Sequence, residues 1–245
     1  MSKIIGKIWL VWAGLVFIAF FLITYPFLLI WLSTPKLYRV AHFHRKVWGV
    51  FTSIFSLLIP RVIKEEKPPK GRRIIYCSNH VSYLDILTCG TYLPGFNFFM
   101  AKQELAKVPL FGKWFRTIDI PVERGSITKS YRAFENAAKQ FDSGIDMIIF
   151  PEGRIPATAP ILGRFKKGAF KIAIEKGALI VPVTLPDNYN RFPDSKWVAY
   201  PGMMRLHIHR AIDTVGLKPE DEPELTQKVY SIIATQLEEY GVSQA

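Results

Sequence analysis

The stretch "IIYCSNHVSYLDIL", residues 74–87, joins an apolar run to a helical pattern through a short polar turn. Residues 74–78 predict a buried strand, and residues 83–92 predict a helix. Asn79 and His80 lie between the two, and Asp85 follows the histidine by five positions. Ligands of open α/β sheets bind where strands end. The turn is therefore a candidate site.

Two interpretations of Asp85 remain open from the turn alone. Ser82 and Asp85 have the spacing of a capping box, in which the aspartate only closes the start of the helix. A carboxylate can also hold a neutral imidazole in the tautomer that accepts a proton from a hydroxyl group. Positions five apart on one helix diverge by about 140°. His80 must therefore precede the helix if it is to meet Asp85.

Strand-like and helical runs alternate beyond residue 73. The predicted strands are residues 74–78, 146–150, 178–185 and a stretch around 203–212. The predicted helices are residues 83–92, 127–143, 166–176 and 223–240, and the charged, proline-containing residues 64–73 predict a linker. This alternation predicts an α/β domain with a mostly parallel sheet flanked by helices.

The N-terminal part of the chain has the composition of a membrane segment. Residues 8–32 contain no charged side chain, and 25 residues suffice to cross a hydrocarbon layer. Pro26 would kink or stop such a helix, so a re-entrant path is an alternative. The pattern predicts N-terminal membrane-associated helices over residues 1–60 and one domain over 61–245.

A second helix is predicted after Thr34 and Pro35, with an apolar stripe that continues to Leu58. Its opposite face is polar and partly basic, and it carries Arg39, His42, Lys46, Ser53 and Ser56. Such a face suits an anionic membrane surface, and it suits equally a helix packed on the domain.

The charge balance indicates an anionic partner. Lys and Arg outnumber Asp and Glu by 32 to 20, a net charge of +12. Lipids, phosphorylated substrates and nucleic acid all fit this charge, but the long uncharged run argues against nucleic acid. Cys77 and Cys89 have no metal-ligand spacing. His207 and His209 alternate on a strand-like run without a third ligand, so we expect surface residues and no metal site.

Five blocks follow one another over residues 79–183. They are "NHVSYLD" at 79–85, "KQELAKVPLFG" at 102–112, "IDIPVERG" at 118–125, "FPEGR" at 150–154 and "VPV" at 181–183. This ordered set resembles the glycerolipid acyltransferase family and, within it, the PlsC-type 1-acylglycerol-3-phosphate acyltransferases.

The resemblance implies transfer of a fatty acyl chain from a thioester to the sn-2 hydroxyl of 1-acylglycerol 3-phosphate. It implies His80 as general base, oriented by Asp85, with Arg124, Glu152, Gly153 and Arg154 at the acceptor and Lys102 in the same basic cleft. No cofactor is expected, and acyl-CoA or acylated carrier protein would be the co-substrate. Membrane lipids would be partners. A cytoplasmic donor would place the domain on the cytoplasmic side, with which Lys36, Arg39, Arg45 and Lys46 agree.

One block departs from the family pattern. The usual motif is Phe-Pro-Glu-Gly-Thr-Arg, whereas Arg154 follows Gly153 directly. A one-residue change displaces the backbone by about 3.8 Å, more than a hydrogen bond tolerates. Another lysophospholipid acceptor is thus an alternative. A non-catalytic protein that binds anionic lipids is a second alternative, against which the His80–Asp85 pair argues, because binding needs no base.

Overall fold

The fold is that of a computed structural model, which describes residues 2–69, 71–123, 127–193 and 196–244, without the side chains of 127–131. The helices are α1 (Lys3–Trp31), α2 (Tyr38–Phe55), α3 (Leu84–Tyr92), α4 (Gly112–Thr117), α5 (Ile127–Asp142), α6 (Gly168–Lys176), α7 (Asn188–Arg191) and α8 (Glu222–Glu239). The strands are β1 (Leu58–Lys64), β2 (Ile74–Ser78), β3 (Asn97–Lys102), β4 (Ile120–Val122), β5 (Asp146–Ile149), β6 (Leu179–Thr184), β7 (Gly202–Ile208) and β8 (Ile212–Asp213).

The strands form one mixed sheet in the order β1-β7-β6-β2-β5-β3-β4, with β8 beside β6. All neighbours are parallel except β7 and β8, which each run antiparallel to β6. β2 is buried along its whole length between β5 and β6. The predicted α/β class with a mostly parallel sheet flanked by helices is confirmed.

Side chains of β2 alternate between two apolar layers, as the twofold period of a strand requires. Ile75 and Cys77 join one layer, together with residues of α6 and α8. Ile74 and Tyr76 join the other layer, together with Cys89 of α3. A strand that is apolar on both faces needs cover on both, and the helices supply it.

Three strands lie where none was predicted. β1 contains Pro60 and two cations, a composition tolerated only at a sheet edge, which is where β1 lies. Its first residue, Leu58, was assigned to the preceding helix, but α2 ends at Phe55. β4 has only three residues, whereas β3 has six and was missed although the five-residue β2 was predicted. β1 crosses the predicted boundary at residue 60.

α1 and α2 form an antiparallel hairpin. Pro26 lies inside α1 without ending it, and α1 is long and apolar enough to cross a membrane, with a mean hydropathy of 2.4 in its most apolar window. Trp12 donates a hydrogen bond to the Phe55 carbonyl, and the Phe20 and Phe51 rings stack at 5.5 Å. These contacts hold the two helices together along their length.

The polar face of α2 packs inward on the domain. His42 and Ser53 are buried, whereas Phe43 and Ile54 are 67% and 55% exposed. Of the two interpretations of this face, the structure therefore shows packing on the domain. The exposed side of the hairpin is apolar.

Arg45 of α2 makes a buried polar contact between the hairpin and the domain. Its guanidinium lies 3.5 Å from an Asp119 oxygen and donates to the carbonyl and the side-chain oxygen of Asn97 at 3.0 and 2.7 Å. Asp119 also accepts the Phe99 N–H at 2.8 Å. Burial raises the pKa of Asp119, and the nearby Arg45 charge opposes that rise.

Arg45→Met should lower the free energy of unfolding by about 3–5 kcal/mol, because it leaves the Asp119 carboxylate buried without its cation. Thermal unfolding in detergent measures the loss. The exposed Lys36→Met is the matched control. Adding Asp119→Asn to Arg45→Met should recover part of the stability, and an Arg45→Met protein as stable as wild type would refute the pairing.

Candidate active site

The turn between β2 and α3 brings His80 and Asp85 together. Nδ1 of His80 lies 2.8 Å from Oδ2 of Asp85, and both side chains are buried. α3 begins only at Leu84, so His80 precedes the helix and folds back over its first turn, as the spacing required. The same spacing inside a helix would have separated the two side chains.

Asp85 accepts hydrogen bonds from four groups. Its Oδ2 accepts the backbone N–H groups of Val81 and Ser82 at 2.6 and 2.8 Å, in addition to the His80 ring. Its Oδ1 accepts the Asn188 amide at 2.8 Å. The carboxylate therefore closes the helix start and orients the histidine at once, and the two interpretations of Asp85 combine.

An ionised carboxylate only accepts hydrogen bonds, so Nδ1 of His80 carries the proton. Nε2 of the neutral ring is then an acceptor. Phe150 stacks on the His80 ring at 4.2 Å, with planes 14° apart, and restricts ring rotation. The arrangement holds the imidazole in one tautomer and one orientation, as a general base would require.

Glu152 fixes the backbone of the same turn. Its Oε1 accepts the His80 N–H at 2.7 Å, and its Oε2 accepts the Gly163 N–H at 2.8 Å. Burial raises the pKa of Glu152 to about 7, although both N–H groups oppose the rise. Glu152 thus ties the end of β5 to the end of β2.

Asn79 ties the turn to the other neighbouring strand. Its side chain donates to the Leu185 carbonyl at 3.1 Å and accepts the Leu185 N–H at 2.8 Å. Asn79 was singled out by sequence without a role, whereas Asn188 was not singled out. The one feature of the sequence that could have indicated Asn188 is its amide side chain in the polar segment after the "VPV" strand.

Three spaces adjoin one another around His80. The apolar cavity, of about 210 Å³, lies between the hairpin and the domain and is lined by residues such as Phe17, Phe21, Trp48, Ile86, Phe99 and Phe115. The central cavity, of about 190 Å³, includes His80, Ile86, Phe99, Phe115, Phe150 and Arg154. The basic cleft includes Glu152, Arg154, Arg164, Lys166 and Lys167.

Shared lining residues show how these spaces connect. Ile86, Phe99 and Phe115 line both the apolar and the central cavity, and Arg154 lines both the central cavity and the basic cleft. His80 therefore lies between an apolar space and a cationic one. Arg164, Lys166 and Lys167 were missed by sequence analysis, although "GRFKKG" is a basic run.

The remaining predicted site residues differ in position. Lys102 ends β3, lines the central cavity and lies 3.9 Å from a Glu104 oxygen. Gly153 has φ +74°, and a Cβ there would lie 2.8 Å from the Lys166 ammonium, so the turn requires glycine. Arg124 lies outside the described residues. The roles of all these residues stay predictions.

His207 and His209 are buried, so their prediction as surface residues is wrong. Glu65, which follows the unpredicted β1, lies beside both rings. β1 and Tyr240 after α8 flank this end of β7. Sequence analysis did not place Glu65 beside the two histidines because it did not predict β1, the strand that positions Glu65.

Comparison with known proteins identifies the family. A family model described as Acyltransferase matches residues 59–186, more than half of the chain. The chain belongs to the acyltransferase family. The predicted membership is therefore confirmed.

Individual relatives agree with the family model. The chain is 29% identical over 217 residues to the chloroplastic 1-acyl-sn-glycerol-3-phosphate acyltransferase LPAT1 of Arabidopsis thaliana, covering 86% of this chain and 60% of that protein. It is 25% identical to a 1-acyl-sn-glycerol-3-phosphate acyltransferase of Chlamydomonas reinhardtii, covering 86% of this chain and 64% of the relative. The chain thus spans less than two thirds of either.

A solved structure shares the fold over the full length. The crystal structure of the 1-acyl-sn-glycerophosphate acyltransferase PlsC from Thermotoga maritima matches with a TM-score of 0.79 and 23% identity, covering 100% of both chains. The family's blocks at 79–85 and 150–154 meet at His80 in this chain, through Asp85 and Glu152.

Replacing Glu152 should change how stability depends on pH. A folded-state pKa of about 7, against 4.5 for an ordinary glutamate, gives a contribution that is present below about pH 4.5 and lost as pH rises through 7. Glu152→Gln removes this titration. Relative to Glu152→Gln, wild type should lose about 3 kcal/mol of unfolding free energy between pH 4.5 and 8. Parallel pH profiles for the two proteins would contradict the raised pKa.

Proposed function

We propose that this chain transfers a fatty acyl chain from an acyl thioester to the sn-2 hydroxyl of 1-acylglycerol 3-phosphate, producing phosphatidic acid. The observation that carries the proposal is the position of His80, between an apolar cavity and a basic cleft and hydrogen-bonded to Asp85. A lysophospholipid has the matching order of parts: an acyl chain, a hydroxyl and an anionic head group.

His80 supplies the proton transfers of the reaction. As the acceptor hydroxyl attacks the thioester carbonyl carbon, its proton passes to Nε2 of His80. Asp85, held by its four donors, stabilises the imidazolium that forms. The C–S bond then breaks, the imidazolium protonates the thiolate, and the thiol leaves with His80 neutral again.

The acyl chains fit the apolar cavity, and the phosphate fits the basic cleft. Aromatic side chains dominate the apolar cavity, which lies against the membrane-type helix α1. In the cleft, Arg154 and Lys166 can donate charge-assisted hydrogen bonds, each worth about 1.5–3 kcal/mol. The names of the Arabidopsis and Chlamydomonas relatives support the 3-phosphate acceptor.

The hairpin gives the enzyme its membrane location. Its outer surface is apolar, with Leu15, Ile18 and Phe51 exposed, which suits contact with lipid. A cytoplasmic orientation follows from a cytoplasmic donor, acyl-CoA or acylated carrier protein, each of which is anionic and suits a protein of charge +12. Arg45 and Lys46 are bonded to the domain, which leaves Lys36 and Arg39 after α1 against Lys3 and Lys7 at its start, so the flanking cations do not decide the orientation.

His80→Ala should lower the rate of acyl transfer by about 10²–10⁴-fold, because the general base is removed. Asp85→Asn should lower it by a smaller factor, because the ring keeps its position over Phe150 but loses its carboxylate partner. Thioester consumption by purified protein in lipid–detergent micelles measures both.

Glu238→Gln, at an exposed carboxylate of α8 that lines none of the three spaces, is the control for this experiment. Wild-type turnover by a well-folded His80→Ala protein would overturn the mechanism. Lipid binding without thioester consumption in wild type would favour the non-catalytic lipid-binding alternative.

Arg154→Ala and Lys166→Ala should each lower kcat/KM for 1-acylglycerol 3-phosphate by about 10- to 100-fold, because each removes a donor to the phosphate. Lys171→Ala, on the exposed side of α6, is the matched control. Wild type should prefer the 3-phosphate lipid to 1-acylglycerophosphoethanolamine. A preference for the ethanolamine lipid would reassign the acceptor, and an unaffected Arg154→Ala protein would remove Arg154 from the phosphate site.

A further inference from the structure

Asn188 contacts the Asp85 carboxylate from a different part of the chain than its other donors. Nδ2 of Asn188 lies 2.8 Å from Oδ1 of Asp85 and 3.1 Å from Oγ1 of Thr88, and Asn188 is fully buried. The other three donors to Asp85 lie in the turn between β2 and α3, and all of them reach Oδ2. Within the part of the chain that the structure describes, Asn188 is therefore the donor that holds Oδ1.

The neighbours of the Asn188 amide fix its direction. An ionised Asp85 carboxylate only accepts hydrogen bonds, and the Thr88 hydroxyl donates its proton to the Leu84 carbonyl at 2.8 Å. A reversed amide would place its oxygen against two acceptors. The two N–H groups of Asn188 therefore hold Asp85 and Thr88, which lie three positions apart on α3.

Stability alone does not account for an amide at this position. Oδ1 of Asn188 is buried and has no hydrogen-bond partner among the described residues. An unpaired polar atom in the interior costs free energy, and an apolar side chain of similar size would not carry that atom. The two N–H groups directed at α3 explain the amide, whereas packing does not.

Contacts on either side of α7 set the position of Asn188. Before it, the Asp187 carboxylate accepts the Arg205 side chain at 2.7 and 2.8 Å and the Arg205 backbone N–H at 2.8 Å. After it, the Phe192 carbonyl accepts the Ser82 hydroxyl at 2.6 Å. β7 and the turn after β2 thus hold the two ends of α7. The amide is brought to Asp85 by contacts other than its own.

We infer that Asn188 is a positioning residue of the active site, which acts on His80 through Asp85. The inference rests on the proposed acyl transfer. Because the amide holds Oδ1, the carboxylate is hindered from turning, and Oδ2 stays on Nδ1 of His80. An N–H donor also favours the ionised form of a carboxylate. Both effects keep the imidazole in the tautomer whose Nε2 accepts the proton of the hydroxyl group.

Asn188→Leu removes both donors at a similar side-chain size. It should lower kcat by about 10- to 100-fold with little change in KM, because a hydrogen bond to a charged group is lost. Thioester consumption measures the rate. Asn190→Leu, at an exposed position of the same short helix, is the matched control and should keep the wild-type rate. A folded Asn188→Leu protein with the wild-type rate overturns the inference.

A double-mutant cycle separates positioning from a general structural role. In an Asp85→Asn background, adding Asn188→Leu should lower the rate by no more than about 2- to 3-fold, because the carboxylate on which Asn188 acts is already absent. The full loss in that background would show that Asn188 acts independently of Asp85. That result overturns the inference.

Asn188→Asp keeps the shape of the side chain and makes the contact depend on pH. Two buried carboxyl groups in contact share a proton, and the introduced carboxyl donates to Oδ1 of Asp85 only while it is protonated. The rate relative to wild type should therefore fall as pH rises from about 6 to 9. This variant decides the question if Asn188→Leu fails to fold. A ratio that stays constant over this range overturns the inference.

Proton NMR of protein labelled at its histidine nitrogens gives a readout that needs no turnover. The Nδ1 proton of His80 is identified by its absence in His80→Ala. Its resonance should shift in Asn188→Leu and stay unchanged in Asn190→Leu, because only the first substitution alters the Asp85 contact. Wild type that consumes no thioester would refute the proposed function, and the resonance would then decide the role of Asn188. An unchanged resonance in Asn188→Leu overturns that role.

Discussion

The carboxylate of Asp85 is the constraint on which the site depends. A fully buried charge costs several kcal/mol unless it is paired and hydrogen-bonded. Here the Val81 and Ser82 N–H groups, the His80 ring and the Asn188 amide offset that cost. One side chain thereby determines the turn after β2, the start of α3 and the position of the segment after β6.

Glu152 extends this control to the other side of His80. Asp85 holds the ring of the histidine, and Glu152 holds its backbone N–H. Glu152 comes from the end of β5 and Asn79 reaches Leu185 after β6, so the turn is tied to both strands that flank β2. Phe150 covers the ring from the same β5 loop. The histidine thus has little freedom to leave its position.

Sequence analysis succeeded where periodicity and spacing carry the information. β2 was predicted with the bounds that the structure shows, and α3 and α6 within two residues, because a turn or Gly177 marks their ends. The His80–Asp85 pair followed from spacing and from the family's blocks. β1 was missed because an edge strand needs no apolar pattern, and the inward direction of the α2 polar face depends on Asn97 and Asp119, which are distant in sequence.

Other parts of the site leave no pattern in sequence. Asn188 lies 103 positions after Asp85, to which it donates a hydrogen bond, and no neighbouring residue in the sequence indicates this pairing. Arg154, Arg164 and Lys166 line one cleft because the turn at Gly153 folds back under Lys166. Tertiary contacts of this kind can be proposed from a family resemblance, but they are positioned only by the fold.

If the chain acylates a lysophospholipid as proposed, the apolar cavity beneath the hairpin bears on how that lipid reaches His80. Transfer of a methylene group from an apolar phase to water costs about 0.8 kcal/mol, so a 16-carbon chain that passed through solvent would face a barrier of about 12 kcal/mol. A cavity walled by α1 on one side and by the domain on the other offers a route without that barrier. The supply of acceptor then depends on its density in the membrane plane rather than on its concentration in water.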